Sequence, residues 1–275
     1  MNNFIQRTLS AIVYAGIVIA SILVHPMYFG IVFMLITALA IREHHKLVGA
    51  SIKSTAYAMS AGVLLFATSY FHFCGDNICK WLLFLYLTTL CLGVIHELFT
   101  PQEDPTRSWG QLCSSQIMIA LPFALMNGLL MENKFLLLAL FAIIWINDSG
   151  AYIVGSLTNK LKGGNHKMFP RVSPAKSWEG LIGGFIFDLI AGYVFYEIGW
   201  TMGLTLTAYP MIDSLLFALT IGIFGTLGDL IESLFKRTLG VKDSGKFLPG
   251  HGGVLDRFDS LLLAAPVAYL LFVYL

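Results

Sequence analysis

Apolar residues in this chain gather into runs far longer than a buried strand requires, and short polar stretches separate them. The runs extend from Leu9 to Val24, Met27 to Ile41, Thr55 to Phe73, Trp81 to Phe99, Gln111 to Met131, Phe135 to Gly155, Trp178 to Ile198, Tyr209 to Leu227 and Ser260 to Leu275. A helix of about 20 apolar residues crosses ~30 Å of hydrocarbon, so about nine transmembrane helices are predicted, the second short unless it borrows from its flanks. The expected fold is all-α: a polytopic membrane helix bundle forming a single domain over residues 1–275. No long polar linker, low-complexity tract or internal repeat interrupts the series. The first run lacks a convincing small-residue cleavage site and is read as a retained helix, not a signal peptide.

Composition supports a membrane protein. The chain is 57% hydrophobic and 12% charged, whereas soluble domains are about 45–50% apolar. A formal net charge of +1 sets up no global field for nucleic acid, so the expected surroundings are a lipid bilayer. With about nine spans, the N-terminal tail and every second loop share one side. That side receives all but Lys80 and Lys134 of the 17 Lys and Arg. Positive residues stay inside, which predicts a cytoplasmic N-terminus and an outside C-terminus. Cys74, Cys79, Cys91 and Cys113 lack the paired spacing of a zinc site. Cys74 and Cys79 flank a short loop, with free thiols the simpler expectation and a disulfide the alternative on an oxidising side.

Charge is concentrated between Ser233 and Asp259, in SLFKRTLGVKDSGKFLPGHGGVLDRFD. Lys236, Arg237, Lys242 and Arg257 are cations suited to phosphate oxygens, and Asp229, Asp256 and Asp259 are carboxylates suited to a hard divalent ion. Gly252 and Gly253 beside His251 let backbone approach a ligand closely. From Gly228 the chain reads as a helix leaving the eighth span, with Asp229, Glu232 and Lys236 on one face. Glu232 and Lys236 could also be a simple surface pair. Asp256 and Asp259 lie one helical turn apart at the start of the last span. With Asp229 they could ligate magnesium, or they could instead cap a helix and pair with Arg257.

Upstream, RVSPAKSWEG (171–180) precedes the seventh span. Ser177 is placed to cap that helix and Glu179 to sit in its first turn, but neither role explains Lys176. Asn147 and Asp148 lie inside the sixth span, where an intramembrane carboxylate marks either function or helix pairing. Asp188 and the His96–Glu97 pair are read as structural, and His44 and His45, beside Glu43, as solvated loop residues.

The order Ser233, Lys236-Arg237, Lys242-Asp243, Pro249, His251-Gly252-Gly253, Asp256-Arg257, Asp259 resembles the signature of phosphatidate cytidylyltransferases, also called CDP-diacylglycerol synthases. The segment around Ser173, Lys176, Ser177 and Glu179 resembles that family's Ser-Pro-Lys-Lys-Thr/Ser-x-Glu-Gly motif, except that Ala175 replaces the first lysine. Asp148 falls in a similar Asp-x-Gly-Ala-Tyr element. The resemblance implies transfer of the cytidylyl group of CTP to phosphatidate, giving CDP-diacylglycerol and pyrophosphate for phospholipid synthesis. It implies a catalytic cation at Asp229 and Asp259, with Asp256 second in rank. The expected cofactor is magnesium, with room for a second monovalent or divalent cation. Ser173, Lys176, Ser177, Glu179, Ser233, Lys242, Asp243, His251, Gly252, Gly253 and Arg257 would contact substrate, and Lys236 and Arg237 would join Asp229, Asp259 and Asp256 as catalytic residues. The chain's beginning, without an extension, suggests a bacterial inner membrane with the site facing the cytoplasm, and a homodimer is compatible with the sequence. A CTP-dependent lipid-alcohol kinase, with His251 as base, is the nearest alternative. A secondary transporter fits less well, because its charges would lie near the midplane between inverted repeats.

Overall fold

The computed structural model describes residues 3–100, 104–161, 163–201, 210–245 and 252–274. It is built almost wholly of helices: α1 (Asn3–Val24), α2 (Pro26–Leu47), α3 (Ile52–Phe73), α4 (Ile78–His96), α5 (Pro105–Ser115), α6 (Leu121–Glu132), α7 (Lys134–Thr158), α8 (Trp178–Thr201), α9 (Pro210–Thr238), α10 (Leu255–Phe258) and α11 (Leu261–Tyr274). Polar residues start several of them. Ser51 accepts the Ser54 N–H at 3.1 Å ahead of α3, and Asn133 accepts the Phe135 N–H at 2.9 Å ahead of α7. Asp104 accepts the Arg107 N–H at 3.1 Å, with Pro105 next in sequence as the first residue of α5. Each supplies an acceptor to backbone donors that the helix itself leaves unpaired.

Among the described residues, six helical stretches are long and apolar enough to cross a bilayer: Pro26–Leu47, Ile78–Phe99, Pro105–Glu132, Lys134–Thr158, Trp178–Gly199 and Pro210–Thr238. The protein is therefore an integral membrane protein. α1, α3 and α11 coincide with the other apolar runs, though the apolar part of α1 is Ser10–Val24 and α11 has 14 residues. Exposed Ile, Leu and Phe side chains along α1, α4 and α8 suit contact with lipid.

Three features depart from the sequence reading. α2 continues to Leu47, so His44 and His45 are buried, not solvated. His44 stacks on Phe235 at 4.9 Å and shares a hydrogen bond with the Ser114 hydroxyl at 3.2 Å, and His45 does the same with Ser115 at 3.2 Å. The helix from Gly228 is not a separate element but the last third of the unbroken α9. Third, a β-hairpin of β1 (Lys167–Phe169) and β2 (Ser173–Ser177), paired antiparallel, stands in the loop before α8. The four cysteines are free thiols.

The core that positions the site is aromatic. Phe33 of α2, Phe123 of α6 and Phe258 of α10 meet edge to face at 5.5–6.2 Å. Tyr14 of α1 packs on Phe258 at 5.4 Å and donates its hydroxyl to the Arg257 carbonyl at 3.2 Å. Such contacts fix α10 from helices at the opposite end of the sequence.

Candidate functional site

Two close approaches bring the acidic residues together. At Gly228 a methyl group would stand 2.7 Å from the Asp259 carbonyl and 3.0 Å from that of Ser260, so α9 lies backbone to backbone against the α10–α11 junction. Only glycine permits this approach, and the next residue is Asp229. A cavity of about 470 Å³ opens beside the junction, walled by Asp148, Asp229, Asp256, Arg257 and Asp259 together with Tyr14. A second, of about 420 Å³, lies between α7, α8 and the hairpin and includes Asn147, Asp148, Lys176 and Ser177. Asp148 borders both. Between them the Lys176 Nζ lies 2.6 Å from Asp229 Oδ2.

Burial, reinforced by the negative charges of Asp229, Glu232 and Asp148, holds the Asp259 carboxyl well above the ordinary carboxylate range. Burial would raise Asp256 too, but the Lys236 ammonium and the N–H groups of Gly253 and Ser244 hold it below that range. The two aspartates thus differ in kind. Asp256 Oδ1 accepts from Lys236 Nζ at 2.6 Å, and its carboxylate accepts the Ser244 N–H at 2.8 Å and the Gly253 N–H at 2.7 Å. Asp259 has only local donors, chiefly its neighbour's Ser260 N–H at 2.7 Å, among the described residues.

Lys236 was expected at phosphate. Its ammonium is buried, 2.5 Å from Glu232 Oε2 and 2.6 Å from Asp256 Oδ1, so Glu232 and Lys236 form no surface pair. Arg237 reaches back to two carbonyls, those of Val172 at 3.3 Å and Val241 at 3.0 Å, and so ties α9 to the hairpin. Arg257 is different, because its Nε is buried at the cavity wall and has no hydrogen-bond partner among the described residues. Ser233 donates to Asp229 Oδ1 at 3.3 Å. Lys242 and Asp243 are exposed, Gly252 has φ +82°, and His251 lies outside the described residues.

In the hairpin, Ser177 Oγ accepts the Gly180 N–H at 3.1 Å and so caps the start of α8. Glu179 lines neither cavity and binds His166 through its N–H at 3.0 Å and Nδ1 at 2.6 Å. Ser173 opens β2, half-buried. Of this segment, Lys176 is the residue brought to the carboxylates. Deeper in, Asn147 donates to Asp188 at 2.6 Å and accepts from Thr226 at 3.3 Å, a buried bond set joining α7, α8 and α9. Glu43 of α2 was passed over in the sequence because nothing near it in the chain marks it. Its carboxylate reaches Ser244 and Leu255.

The relation to known proteins covers the whole chain. Residues 5–275 match the sequence profile of the Cytidylyltransferase family. This chain belongs to that family. It is similar to the phosphatidate cytidylyltransferase of Bacillus subtilis (strain 168), with 32% identity over 275 residues, 97% of this chain and 96% of that one. The phosphatidate cytidylyltransferase of Staphylococcus haemolyticus (strain JCSC1435) is 45% identical over 134 residues. That of Staphylococcus aureus (strain COL) is 41% identical over 143 residues. These two matches span about half the length of the staphylococcal proteins, 47% and 50%.

The donor set of this cytidylyltransferase-family chain fits a hard divalent cation. Among the described residues, no group of three or more His, Cys, Asp or Glu side chains is arranged to hold a metal ion by itself. Magnesium, however, takes one or two protein carboxylates and fills its remaining positions with phosphate oxygens and water. Asp229 and Asp259 supply two carboxylates in one cavity wall, where negative charge exceeds that of Lys176 and Arg257.

Proposed function

We propose that this chain transfers the cytidylyl group of CTP to phosphatidate, giving CDP-diacylglycerol and pyrophosphate, at the cytoplasmic face of a bacterial inner membrane. The observation that carries the reading is the end-to-end similarity to the Bacillus subtilis phosphatidate cytidylyltransferase. The cavity in which acidic and cationic groups meet supports it. The placement of nearly all Lys and Arg in alternate loops supports the cytoplasmic side.

A lipid phosphate oxygen attacks the α-phosphorus of CTP. The new O–P bond forms as the bond to the β-phosphate oxygen breaks, and the electron pair leaves with pyrophosphate. A phosphomonoester has its second pKa near 6, so the nucleophile is already anionic and no side chain need act as base. The obstacle is repulsion between anions. Asp229 and Asp259 would hold a magnesium ion, which when bound supplies positive charge to the phosphates. The chain's own cations complete the neutralisation. Arg257 offers its Nε, which has no partner among the described residues, and Lys176 can exchange Asp229 for a phosphate oxygen next to it. Lys236 and Arg237 hold the frame.

Purified protein given magnesium, phosphatidate and CTP labelled at either the α- or the γ-phosphate tests the reading. Label from the α-phosphate is expected in lipid. Label from the γ-phosphate alone would make the protein a lipid kinase, and none from either would end the proposal.

A further inference from the structure

Glu43 lies near the end of α2, far in sequence from every motif that marks the site, yet it sits at the neck of the glycine-containing segment. Its Oε2 accepts the Ser244 hydroxyl at 3.1 Å and the Leu255 N–H at 2.9 Å. Residues 244 and 255 bracket that segment, so one carboxylate ties its two ends together. The fit is close. A methyl group at Gly245 would stand 2.5 Å from Glu43 Oε1, and one at Gly253 would meet Glu43 Oε2 and lie 2.7 Å from the Gly245 nitrogen. A side chain at either position would have to displace the carboxylate, and at Gly253 the Ser244 hydroxyl as well.

The Leu255 N–H is the first of α10, and the residue before it, Val254, offers no side-chain cap. A four-residue helix cannot hold itself by its own ladder. Glu43 supplies the missing acceptor from another helix, and Asp256 grips the same segment from inside through Ser244 and Gly253. Together they set where Arg257 and Asp259 face.

We propose that Glu43 is a positioning residue: by clamping Ser244 to Leu255 it fixes α10, and through it the Asp229–Asp259 cation site, without itself touching substrate. The activity part of this proposal rests on the cytidylyl-transfer reading, whereas the clamp itself does not.

Two readouts test it. In the first, Glu43→Ala should raise the half-saturating magnesium concentration at least fivefold, while Glu43→Gln, which keeps an acceptor oxygen, stays within about twofold. Ser244→Ala should raise it by less, and the double variant should be no worse than Glu43→Ala, because the contact that Ser244→Ala removes is one of the two already lost in Glu43→Ala. The second readout needs no turnover. Trypsin should cut after the exposed Lys242 several-fold faster in Glu43→Ala and measurably faster in Ser244→Ala. Folded Glu43→Ala with wild-type magnesium dependence and wild-type cleavage overturns the proposal, as do fully additive effects. If Glu43→Ala does not reach the membrane, Ser244→Ala decides: no change in its cleavage or its magnesium dependence overturns the clamp. A wild-type protein without cytidylyl transfer would end the functional reading and leave the cleavage comparison to judge the clamp.

Discussion

Lys236→Met removes a cation that the structure places between two carboxylates. Glu232, Lys236 and Asp256 are 3%, 7% and 8% exposed, so water does little to screen them. With the ammonium gone, both acids keep their burial and face each other. Glu232 has no other hydrogen bond among the described residues to fall back on, while Asp256 keeps the N–H groups of Ser244 and Gly253. Breaking a buried ion pair from one side costs about 3–5 kcal/mol, because a charge is left without its partner. At about 2–4 °C per kcal/mol the melting temperature should fall by roughly 6–20 °C. The assay is thermal unfolding of detergent-purified protein, followed by intrinsic tryptophan fluorescence. Adding Glu232→Gln should recover part of the loss, since one of the stranded charges is then removed. A Lys236→Met protein that melts within about 2 °C of wild type while needing more CTP would refute the reasoning. That result would return Lys236 to phosphate binding.

Asp259→Asn should lower turnover at least about a hundredfold, the scale on which loss of one electrostatic stabiliser is felt. Its melting temperature should equal or exceed that of wild type, because the change removes a carboxyl pressed by like charges; near-normal activity would exclude Asp259 from the cation site. Gly228→Ala would put a methyl group 2.7 Å from the Asp259 carbonyl, a backbone atom that cannot rotate away. A loss of about 1–3 kcal/mol in stability is expected, with a larger fall in activity as α9 is pushed off the junction. Full activity in that variant would show that the close approach does not set the site.

The membrane helices were legible because length and apolarity act locally: a run of about 20 residues either spans hydrocarbon or does not. The joint placement of Asp229 and Asp259 was legible for a related reason, since the ends of consecutive membrane helices must return to the same face. Lys236 was not legible in this way. Its charge says that it will find an anion, and only the fold decides whether that anion is phosphate or Asp256. His44 and His45 misled for the same cause, because their burial depends on Ser114, Ser115 and Phe235 arriving from α5 and α9. The hairpin and Glu43 left no signal, being contacts made between distant segments. These contacts also explain what the first half of the chain contributes, although it holds none of the recognised motifs. α10 has four residues and no cap of its own, so it cannot keep Arg257 and Asp259 in place unaided. Tyr14 of α1 holds the Arg257 carbonyl, Phe33 of α2 packs on Phe258, and Glu43 of α2 takes the Leu255 N–H. The N-terminal helices therefore act as the fixed wall against which α10 is set, and a fragment beginning at α7 should lose the site geometry even though it retains every motif residue.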